Sequence, residues 1–330
     1  MSASLLEIRG LTLGLPGGGG RLAVDDVSLS LDRGGALGLV GESGCGKTML
    51  ALGILRLLPP GVRVVGGQVL LDGRDLVPLP EVELRAVRGR RIAMVFQEPL
   101  TSLNPVFTIG EQVAEAVRAH RRLGRAEAHA RAVEALAAVG IADPERTARA
   151  YPHQLSGGMR QRAIVAMALS CEADVLLADE PTTALDATVQ AQLLALLERL
   201  RAERKMALLL ISHDLPVVSR VCDEVAVMYA GRVVERGPAA ALLKDPRHPY
   251  TEALGKALPP AEPRPPGSPR PPLLAIPGRV PDEPLPGCSF APRCPRASPE
   301  CSSARPALRE LAPGRSVACI HPLGCAAGAA

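Results

Sequence analysis

The alternation of apolar and polar residues predicts two half-buried strands near the N-terminus and several fully buried strands after them. Residues 5–13 and 22–31 alternate in character, with Val27, Leu29 and Leu31 on one face. Later runs are largely apolar throughout, at 37–40, 175–178, 207–211 and 224–229. Such runs are typical of strands in a parallel sheet that is covered on both faces. Shorter strands are predicted at Gln68–Leu71, Arg91–Phe96 and Arg232–Glu235.

Helical periodicity separates these strands. An apolar helical pattern starts at Met49 and extends to about Leu58, where prolines and a glycine follow. Residues 109–150 are rich in Ala, Glu and Arg, a further helix follows Ser156, and another spans 187–204. Strands that alternate with helices predict an α/β fold with a largely parallel sheet. Residues from about 98 to 170 are expected to form a helical subdomain inserted into that core.

Composition and charge exclude several classes of function. The 330 residues are 47% hydrophobic and 22% charged, as in a globular protein, and the net charge of +4 is weak. No basic stripe indicates nucleic-acid binding. We expect no secretory signal in Met1–Gly10, and no apolar run reaches the roughly 20 residues of a membrane span. The chain is therefore expected in the cytosol, with membrane association only through a partner.

A glycine-rich loop lies between the run 37–40 and the helical pattern that follows it. Its pattern, G-x-x-x-x-G-K-[ST], comprises Gly41, Glu42, Ser43, Gly44, Cys45, Gly46, Lys47 and Thr48. Glycines let the backbone curl so that N–H groups face an anion, and the helix N-terminus adds its positive end. Lys47 is expected to reach the β- and γ-phosphates, and Thr48 to ligate Mg²⁺.

Two carboxylates end the apolar strand 175–178. Charges at the end of a buried strand are costly unless an ion or partner compensates them. Beside a phosphate-binding loop, Asp179 is expected to hold Mg²⁺, directly or through water, and Glu180 to activate the attacking water as general base. The alternative is a helix cap followed by a turn at Pro181.

A second helix start has features of an anion site. In Leu155-Ser-Gly-Gly-Met-Arg-Gln161, Ser156 is a good N-cap and the amides after it are available to an anion. The chain thus has two such helix starts but one lysine-bearing loop. Either the second serves a nucleotide held mainly by another molecule, or it is an ordinary capped helix.

The segment LSGGMRQ resembles the signature of the ATP-binding cassette (ABC) ATPases, and the other motifs of that family are present in order along the chain. The matching residues are Leu155, Ser156, Gly157, Gly158 and Gln161 in the signature, Gln97 in the Q-loop, Asp186 in the D-loop and His213 in the switch. The resemblance covers about residues 5–255. It implies a P-loop NTPase cassette with a RecA-like parallel core, an antiparallel β subdomain and the inserted helical subdomain.

The resemblance also implies how the site works. Two cassettes pair head to tail, so each ATP lies between one chain's phosphate loop and the other chain's signature. Gln97 would contact the water and the metal, so that Mg²⁺ is held through Thr48, Gln97 and Asp179. His213 would hold the γ-phosphate, and Glu180, His213 and Gln97 form the catalytic set.

Finer features narrow the resemblance to ATPase subunits of dipeptide, oligopeptide and nickel importers. These features are 97–105, Tyr151–Ser156, Glu180–Gln190, His248–Leu254 and the tail from Gly287. The resemblance implies a second ATPase subunit, two permeases, an extracytoplasmic binding protein and a peripheral position on the cytoplasmic face of the inner membrane. Alternatives are a nickel or other solute importer, a soluble ABC ATPase acting on ribosomes or DNA, and a metal-sensing regulatory subunit.

The C-terminal region is expected to be a separate unit. Residues 1–255 are predicted to form the cassette, and 256–330 a proline-rich linker and a small extension. The tail carries five of the eight cysteines, of which Cys288, Cys294, Cys301 and Cys319 are spaced C-x5-C-x6-C-x17-C. Four thiolates suit zinc or an iron–sulfur cluster, with His321 or Cys325 as a substitute ligand. The resemblance favours [4Fe-4S]; free thiols are the alternative.

Two positions depart from the resembling family, and two cysteines are expected to be structural. Leu15 stands where an aromatic residue usually stacks on adenine, so base selectivity or affinity is expected to be weaker. Cys45 places a thiol in the phosphate loop, where it is either oxidation-sensitive or buried and inert. Cys171 and Cys222 lie in apolar helical contexts and are expected in the core.

Overall fold

The computed structural model describes residues 4–17, 20–97, 102–183, 185–257, 275–281 and 283–324. These residues form two sheets, which confirms the predicted α/β class. The smaller sheet is antiparallel and has the order β2-β1-β4-β5. Its strands are β1 (Leu6–Gly14), β2 (Leu22–Leu31), β4 (Arg63–Leu71) and β5 (Arg74–Asp75).

The larger sheet has the order β11-β12-β10-β9-β3-β8-β7-β6 within the described residues. Its strands are β3 (Ala36–Val40), β6 (Ile92–Val95), β7 (Val175–Asp179), β8 (Ala207–Ser212), β9 (Glu224–Tyr229), β10 (Arg232–Pro238), β11 (Arg309–Ala312) and β12 (Arg315–Val317). The pairs from β6 to β9 are parallel, and β10, β12 and β11 continue the sheet antiparallel. Strands β3, β7 and β8 are buried at every residue, as their apolar runs predict.

The helices fall where the periodicity predicts them, with additions. Those around the core are α1 (Lys47–Ile54), α2 (Glu81–Val87), α7 (Ala187–Arg204), α8 (Leu215–Val221), α9 (Ala239–Lys244) and α10 (Pro249–Lys256). The insert contributes α3 (Ile109–His120), α4 (Arg125–Ala138), α5 (Pro144–Arg149) and α6 (Gly157–Leu169), and the tail contributes α11 (Pro299–Ser303). Among the described residues, no helix is long and apolar enough to cross a membrane.

Two predicted boundaries differ from the structure by at least four residues. The helix after the glycine loop ends at Ile54 rather than near Leu58, because Arg56 adopts a positive φ of 50° that a helix does not allow. Strand β4 begins at Arg63, five residues before the predicted Gln68. Gly67, with φ 87°, lies where the register of β4 against β1 shifts, so a bulge carries the strand through a pair of glycines that sequence patterns treat as a break.

The C-terminal tail packs on the core and extends its sheet, which the sequence did not predict. Strand β12 pairs with β10 through Glu235 and Val317, so β10 is not the last strand of the sheet. Phe290 is 1% exposed and packs edge-on against Tyr229, with ring centroids 5.3 Å apart. Residues 258–274, most of the predicted linker, lie outside the described residues.

A buried carboxylate joins the tail to the core. Glu235, on β10, is 1% exposed and accepts hydrogen bonds from the backbone N–H groups of Arg247 and His248 at 2.8 and 2.9 Å. It also lies 3.3 Å from the guanidinium of Arg315 on β12. A buried charge is tolerated when it is paired and hydrogen-bonded in this way.

Candidate functional site

The glycine loop connects β3 to α1, and at two of its positions there is no room for a side chain. Gly46 has φ 105°, and a Cβ there would lie 2.4 Å from the carbonyl oxygen of Ala23. A Cβ on Gly41 would lie 2.2 Å from the carbonyl oxygen of Met228. Since α1 begins at Lys47, the loop delivers its last amides to a helix N-terminus, which favours an anion.

The lysine of this loop is held inside it. Lys47 is 5% exposed, and its ammonium donates hydrogen bonds to the carbonyl oxygens of Gly41 at 2.7 Å and Glu42 at 3.0 Å. Cys45, beside it, is 1% exposed, and burial raises the pKa of its thiol although Lys47 acts in the opposite direction. A buried thiol with a raised pKa is a poor nucleophile, which favours the inert alternative for Cys45.

A cavity of about 650 Å³ opens over the loop. The glycine loop contributes Ser43, Gly44, Gly46, Lys47 and Thr48, and Gln97 and Glu180 line the same cavity. Leu15, where the family usually carries an aromatic, also lines it. The tail contributes Val280, Pro281, Glu283, Pro284, Ser289 and Arg305. The volume suits a small-molecule ligand, and the wall is shared between the core and the tail.

Glu180 is the centre of a group of polar side chains at the carboxyl ends of β7 and β8. Its Oε2 lies 3.3 Å from Nδ1 of His213 and accepts hydrogen bonds from the Thr183 hydroxyl at 2.9 Å and the Gln97 amide at 3.4 Å. The Glu180 side chain is 12% exposed and that of His213 is 63% exposed. The structure therefore brings Gln97, Glu180 and His213 together.

Asp179 has the features of a cation ligand. It is 1% exposed, and its Oδ1 has no hydrogen-bond partner among the described residues. Burial raises the pKa of its carboxyl, and a hydrogen bond with Thr48 partly offsets this. An oxygen ligand of this kind, beside a hydroxyl and facing a phosphate loop, fits Mg²⁺.

The signature segment lies elsewhere on the chain. Ser156 caps α6 by accepting a hydrogen bond from the backbone N–H of Met159 at 3.3 Å. Ser156 and Gly157 are exposed, whereas Leu155 and Gln161 are buried at 7% and 1%. The described residues that line the 650 Å³ cavity do not include this segment.

The D-loop aspartate caps the helix behind the signature. Asp186 Oδ1 accepts hydrogen bonds from the backbone N–H groups of Thr188 and Val189 at the start of α7, at 3.0 and 2.9 Å. In turn, a Cβ on Gly158 would lie 2.7 Å from Cγ1 of Val189. Only glycine therefore lets α6 approach α7 this closely without a shift of one of them.

The predicted metal cysteines share one small cavity. Cys288, Cys294, Cys301 and Cys319 line a cavity of about 10 Å³ together with His248 and His321. Burial raises the pKa of the Cys319 thiol to about 11. Among the described residues, no three His, Cys, Asp or Glu side chains are arranged to hold a metal ion. Four thiols are suitable ligands for zinc or an iron–sulfur cluster, but their arrangement does not support the predicted metal site. Cys325, a predicted substitute ligand, lies outside the described residues.

The other two cysteines lie in the core, as predicted. Cys171 is 7% exposed and Cys222 is 6% exposed. Burial raises the pKa of Cys222 to about 12, and the neighbouring Asp223 adds to this shift. Neither is placed to react or to ligate.

Two residues that contact the phosphate loop were not predicted from the sequence. Arg293, in the tail, forms a bidentate ion pair with the Glu42 carboxylate, with N–O distances of 2.6 and 2.9 Å. The backbone N–H of Glu42 donates to the Tyr250 hydroxyl at 2.8 Å. The available signal was the acidic residue inside an anion-binding loop, since such a charge needs a compensating partner.

Two family models match separate parts of the chain. A family model described as "ABC transporter" matches residues 24–183. A second, described as "Oligopeptide/dipeptide transporter, C-terminal region", matches residues 234–301. The probable peptide ABC transporter ATP-binding protein y4tR of Sinorhizobium fredii is 51% identical over 90% of this chain and 88% of its own length. The dipeptide transport ATP-binding protein DppD of Escherichia coli is 45% identical over 91% of each chain.

Solved structures agree with the cassette fold. A dimeric post-hydrolysis structure of the ATP-binding cassette MJ0796, bound to ADP and Pi, matches with a TM-score of 0.63 and 28% identity over 71% of this chain and 98% of that chain. The structure of cbiO1 from Clostridium perfringens, part of the complex cbiONQ, matches with a TM-score of 0.63 and 26% identity over 73% of this chain and 91% of that chain. The chain therefore belongs to the ABC transporter ATP-binding proteins, in the group that carries the oligopeptide/dipeptide transporter C-terminal region.

Proposed function

We propose that this protein is the ATP-hydrolysing subunit of an ABC importer of dipeptides or oligopeptides. The observation that carries the proposal is the convergence of the phosphate loop, Gln97 and Glu180 on one cavity, with His213 against Glu180. The peptide assignment is supported by relatives named for peptide and dipeptide transport. A nickel or other solute importer is the nearest alternative.

The residues of the site divide the work of hydrolysis. The amides of residues 41–48 and Lys47 bind the phosphates, while Thr48, Asp179 and Gln97 would hold Mg²⁺. When bound, Mg²⁺ would neutralise charge on the phosphate oxygens. Glu180 accepts the proton of the attacking water. His213 holds the γ-phosphate, a role that its 3.3 Å contact with Glu180 supports.

A second cassette completes the site in this proposal. Ser156 and Gly158 would complete the partner's nucleotide site; Ser156 and Gly157 are exposed, whereas Leu155 and Gln161 are buried. Asp186 orders the start of α7 at the same surface. This arrangement predicts that one copy of the chain does not contain a complete site, and that a related ATPase subunit supplies the remainder.

The remaining partners are two permeases and an extracytoplasmic binding protein, with no nucleic acid. The protein would then sit peripherally on the cytoplasmic face of the inner membrane. Phe96, next to Gln97 in the sequence, and Val106 and Phe107 are exposed, and such apolar side chains suit contact with a membrane subunit. A soluble ABC ATPase acting on ribosomes or DNA would use the same phosphate loop without this partner, and a metal-sensing regulatory subunit would hydrolyse ATP only rarely.

Purification of the tagged chain from native membranes, under anaerobic conditions, tests the proposal. We expect two permeases and a second ATPase to co-purify, with ATP turnover that peptide-loaded binding protein stimulates. Recovery with ribosomes or DNA, or ATP binding without turnover, would overturn it. A Lys47→Ala chain, purified in parallel, is the control for turnover by contaminating ATPases.

We also propose a cofactor in the tail, bound by its four cysteines. A [4Fe-4S] cluster, with zinc as the alternative, is proposed because the four thiols line one cavity and a small tail gains stability from such a link. Iron, sulfide and zinc analysis of the anaerobic protein, with its visible absorption spectrum, tests this. Absence of all three from the intact complex would leave four free thiols.

A further inference from the structure

The phosphate loop contains a negative charge that an ATP site does not need. Glu42 is the second residue of the loop, and its main chain borders the ammonium of Lys47, which donates to the Glu42 carbonyl oxygen at 3.0 Å. A free carboxylate here would repel the phosphates of ATP and compete for Lys47. The loop therefore requires a cation that pairs with Glu42 from outside the phosphate site.

Arg293 supplies that cation from the tail, 251 residues away along the chain. Its Nη1 and Nη2 donate to Oε2 and Oε1 of Glu42 at 2.6 and 2.9 Å. This bidentate geometry fixes the orientation of the carboxylate and also compensates its charge. The Arg293 side chain is 4% exposed and that of Glu42 is 28% exposed. The arginine end of the pair is therefore shielded from water, and the attraction between two charges is stronger where water is excluded.

The guanidinium is itself held in place. It donates to the carbonyl oxygen of Pro277 at 2.7 Å and to that of Ile276 at 3.3 Å, both in the tail. It also donates to the Tyr229 hydroxyl at 3.3 Å, at the end of β9. These contacts leave Arg293 few alternatives to Glu42, so its position is set before a nucleotide binds.

The main chain of Glu42 is fixed from a second direction. Its N–H donates to the Tyr250 hydroxyl at 2.8 Å, and Tyr250 is fully buried on α10. The rings of Tyr229, Tyr250 and Phe290 pack against one another, with centroids 4.6 to 5.3 Å apart. Both the side chain and the amide of Glu42 are therefore held by groups that this aromatic cluster orients.

We propose that Arg293 is a positioning residue for ATP binding, which neutralises Glu42 and holds the phosphate loop in its anion-binding conformation. The C-terminal tail is then a working part of the nucleotide site. This inference rests on the proposed ATP binding at residues 41–48. It explains why the tail packs against the loop and lines the same cavity, through Ser289 and Arg305 among others.

Charge rescue in the assembled complex tests the proposal. We expect Arg293→Gln to weaken ATP binding about tenfold, or about 1.4 kcal/mol, by raising KM with little change in kcat. The double variant Glu42→Gln/Arg293→Gln removes the uncompensated carboxylate and should return KM to within about threefold of wild type. A purely structural loss would not be rescued, because the double variant lacks both charged partners. Arg279→Gln, an exposed arginine of the same tail, is the matched control for lost charge.

Each outcome decides the question. Equal KM values for wild type and Arg293→Gln, or a double variant as weak as Arg293→Gln, would overturn the positioning role. If Arg293→Gln does not fold, Arg293→Lys replaces it: this variant keeps the charge but loses the bidentate geometry, so KM should rise by about threefold to tenfold, and a KM equal to that of wild type counts against the positioning role. If Lys47→Ala binds ATP as well as wild type, the proposed nucleotide site itself is wrong, which is a distinguishable result.

Discussion

The carboxylate of Glu180 and the imidazole of His213 lie 3.3 Å apart although 33 residues separate them. The relationship follows from the sheet, because β7 and β8 are neighbouring parallel strands in which Asp179 pairs with Ile211. Their carboxyl ends therefore meet at one edge, and the residues after them converge. Glu180 has φ 44°, an unusual backbone for glutamate, and such outliers cluster at functional sites.

The first prediction concerns Glu180. We expect Glu180→Gln to lower ATP turnover of the assembled complex by about 10² to 10⁴-fold, since the amide accepts no proton, while ATP binding persists. Glu198→Gln, an exposed residue of α7, is the control and should turn over normally. Turnover within twofold of wild type in Glu180→Gln would exclude it as the base.

The second prediction concerns the metal. Asp179→Asn should raise the Mg²⁺ concentration needed for half-maximal turnover, because a neutral amide replaces a buried carboxylate. Burial raises the pKa of Asp179, so protons compete with the cation, and the wild-type requirement should increase as pH falls. Titration of turnover with Mg²⁺ at two pH values measures both effects. An unchanged requirement in Asp179→Asn would contradict the assignment.

The third prediction tests the packing beneath the signature. Gly158→Ala should lower the free energy of unfolding by about 1 to 3 kcal/mol, because its Cβ would lie 2.7 Å from Cγ1 of Val189. Val189→Ala in the same chain should relieve that crowding. Gly157→Ala, whose Cβ would lie 3.9 Å from Leu185, is the control and should cost less. Denaturant unfolding measures all four chains, and equal effects of the two glycine substitutions would refute the crowding argument.

The fourth prediction concerns the pH dependence of the free energy of unfolding, to which the buried thiol of Cys222 contributes. Burial raises the pKa of Cys222 to about 12, so the folded chain keeps its proton where the unfolded chain loses it. This stability is fully present below the thiol's ordinary pKa and is lost as pH rises towards 12. Between pH 8 and 10.5 the wild type should lose about 2 kcal/mol more than Cys222→Ala.

A cavity control separates titration from packing in that experiment. Val218→Ala, at a fully buried position on α8, which ends one residue before Cys222, should lower stability by a similar amount at both pH values. If Cys222→Ala and wild type lose stability equally between pH 8 and 10.5, the thiol does not contribute to the dependence.

The sequence predicted the strands and helices of the core but not the strands of the tail, and the reason is physical. Runs such as 175–178 are apolar because both faces of β7 are covered, so local pattern and tertiary position agree. Strand β11 is exposed at every residue, so no apolar pattern marks it, and only its pairing with β12 makes it a strand. Long-range pairing of this kind is absent from local periodicity.

The same distinction applies to the site. Residues 41–48 and Glu180 were predicted because the phosphate loop and the end of a strand are local motifs. The roles predicted for them stay predictions, as does the division near residue 255. The partners Arg293 and Tyr250 were missed because they reach Glu42 from 251 and 208 residues away. Their own segments carry no pattern that marks a phosphate loop.

The pairing of β10 with β12 has a consequence for how the chain folds during synthesis. Glu235 meets Val317 only after most of the tail has been made, so the sheet keeps an open edge at β10 until then. A chain truncated before residue 315 would expose that edge permanently and would remove Arg315, the ion-pair partner of Glu235. Such a product is expected to be more prone to aggregation, because the edge of β10 is covered only once the tail has been synthesised.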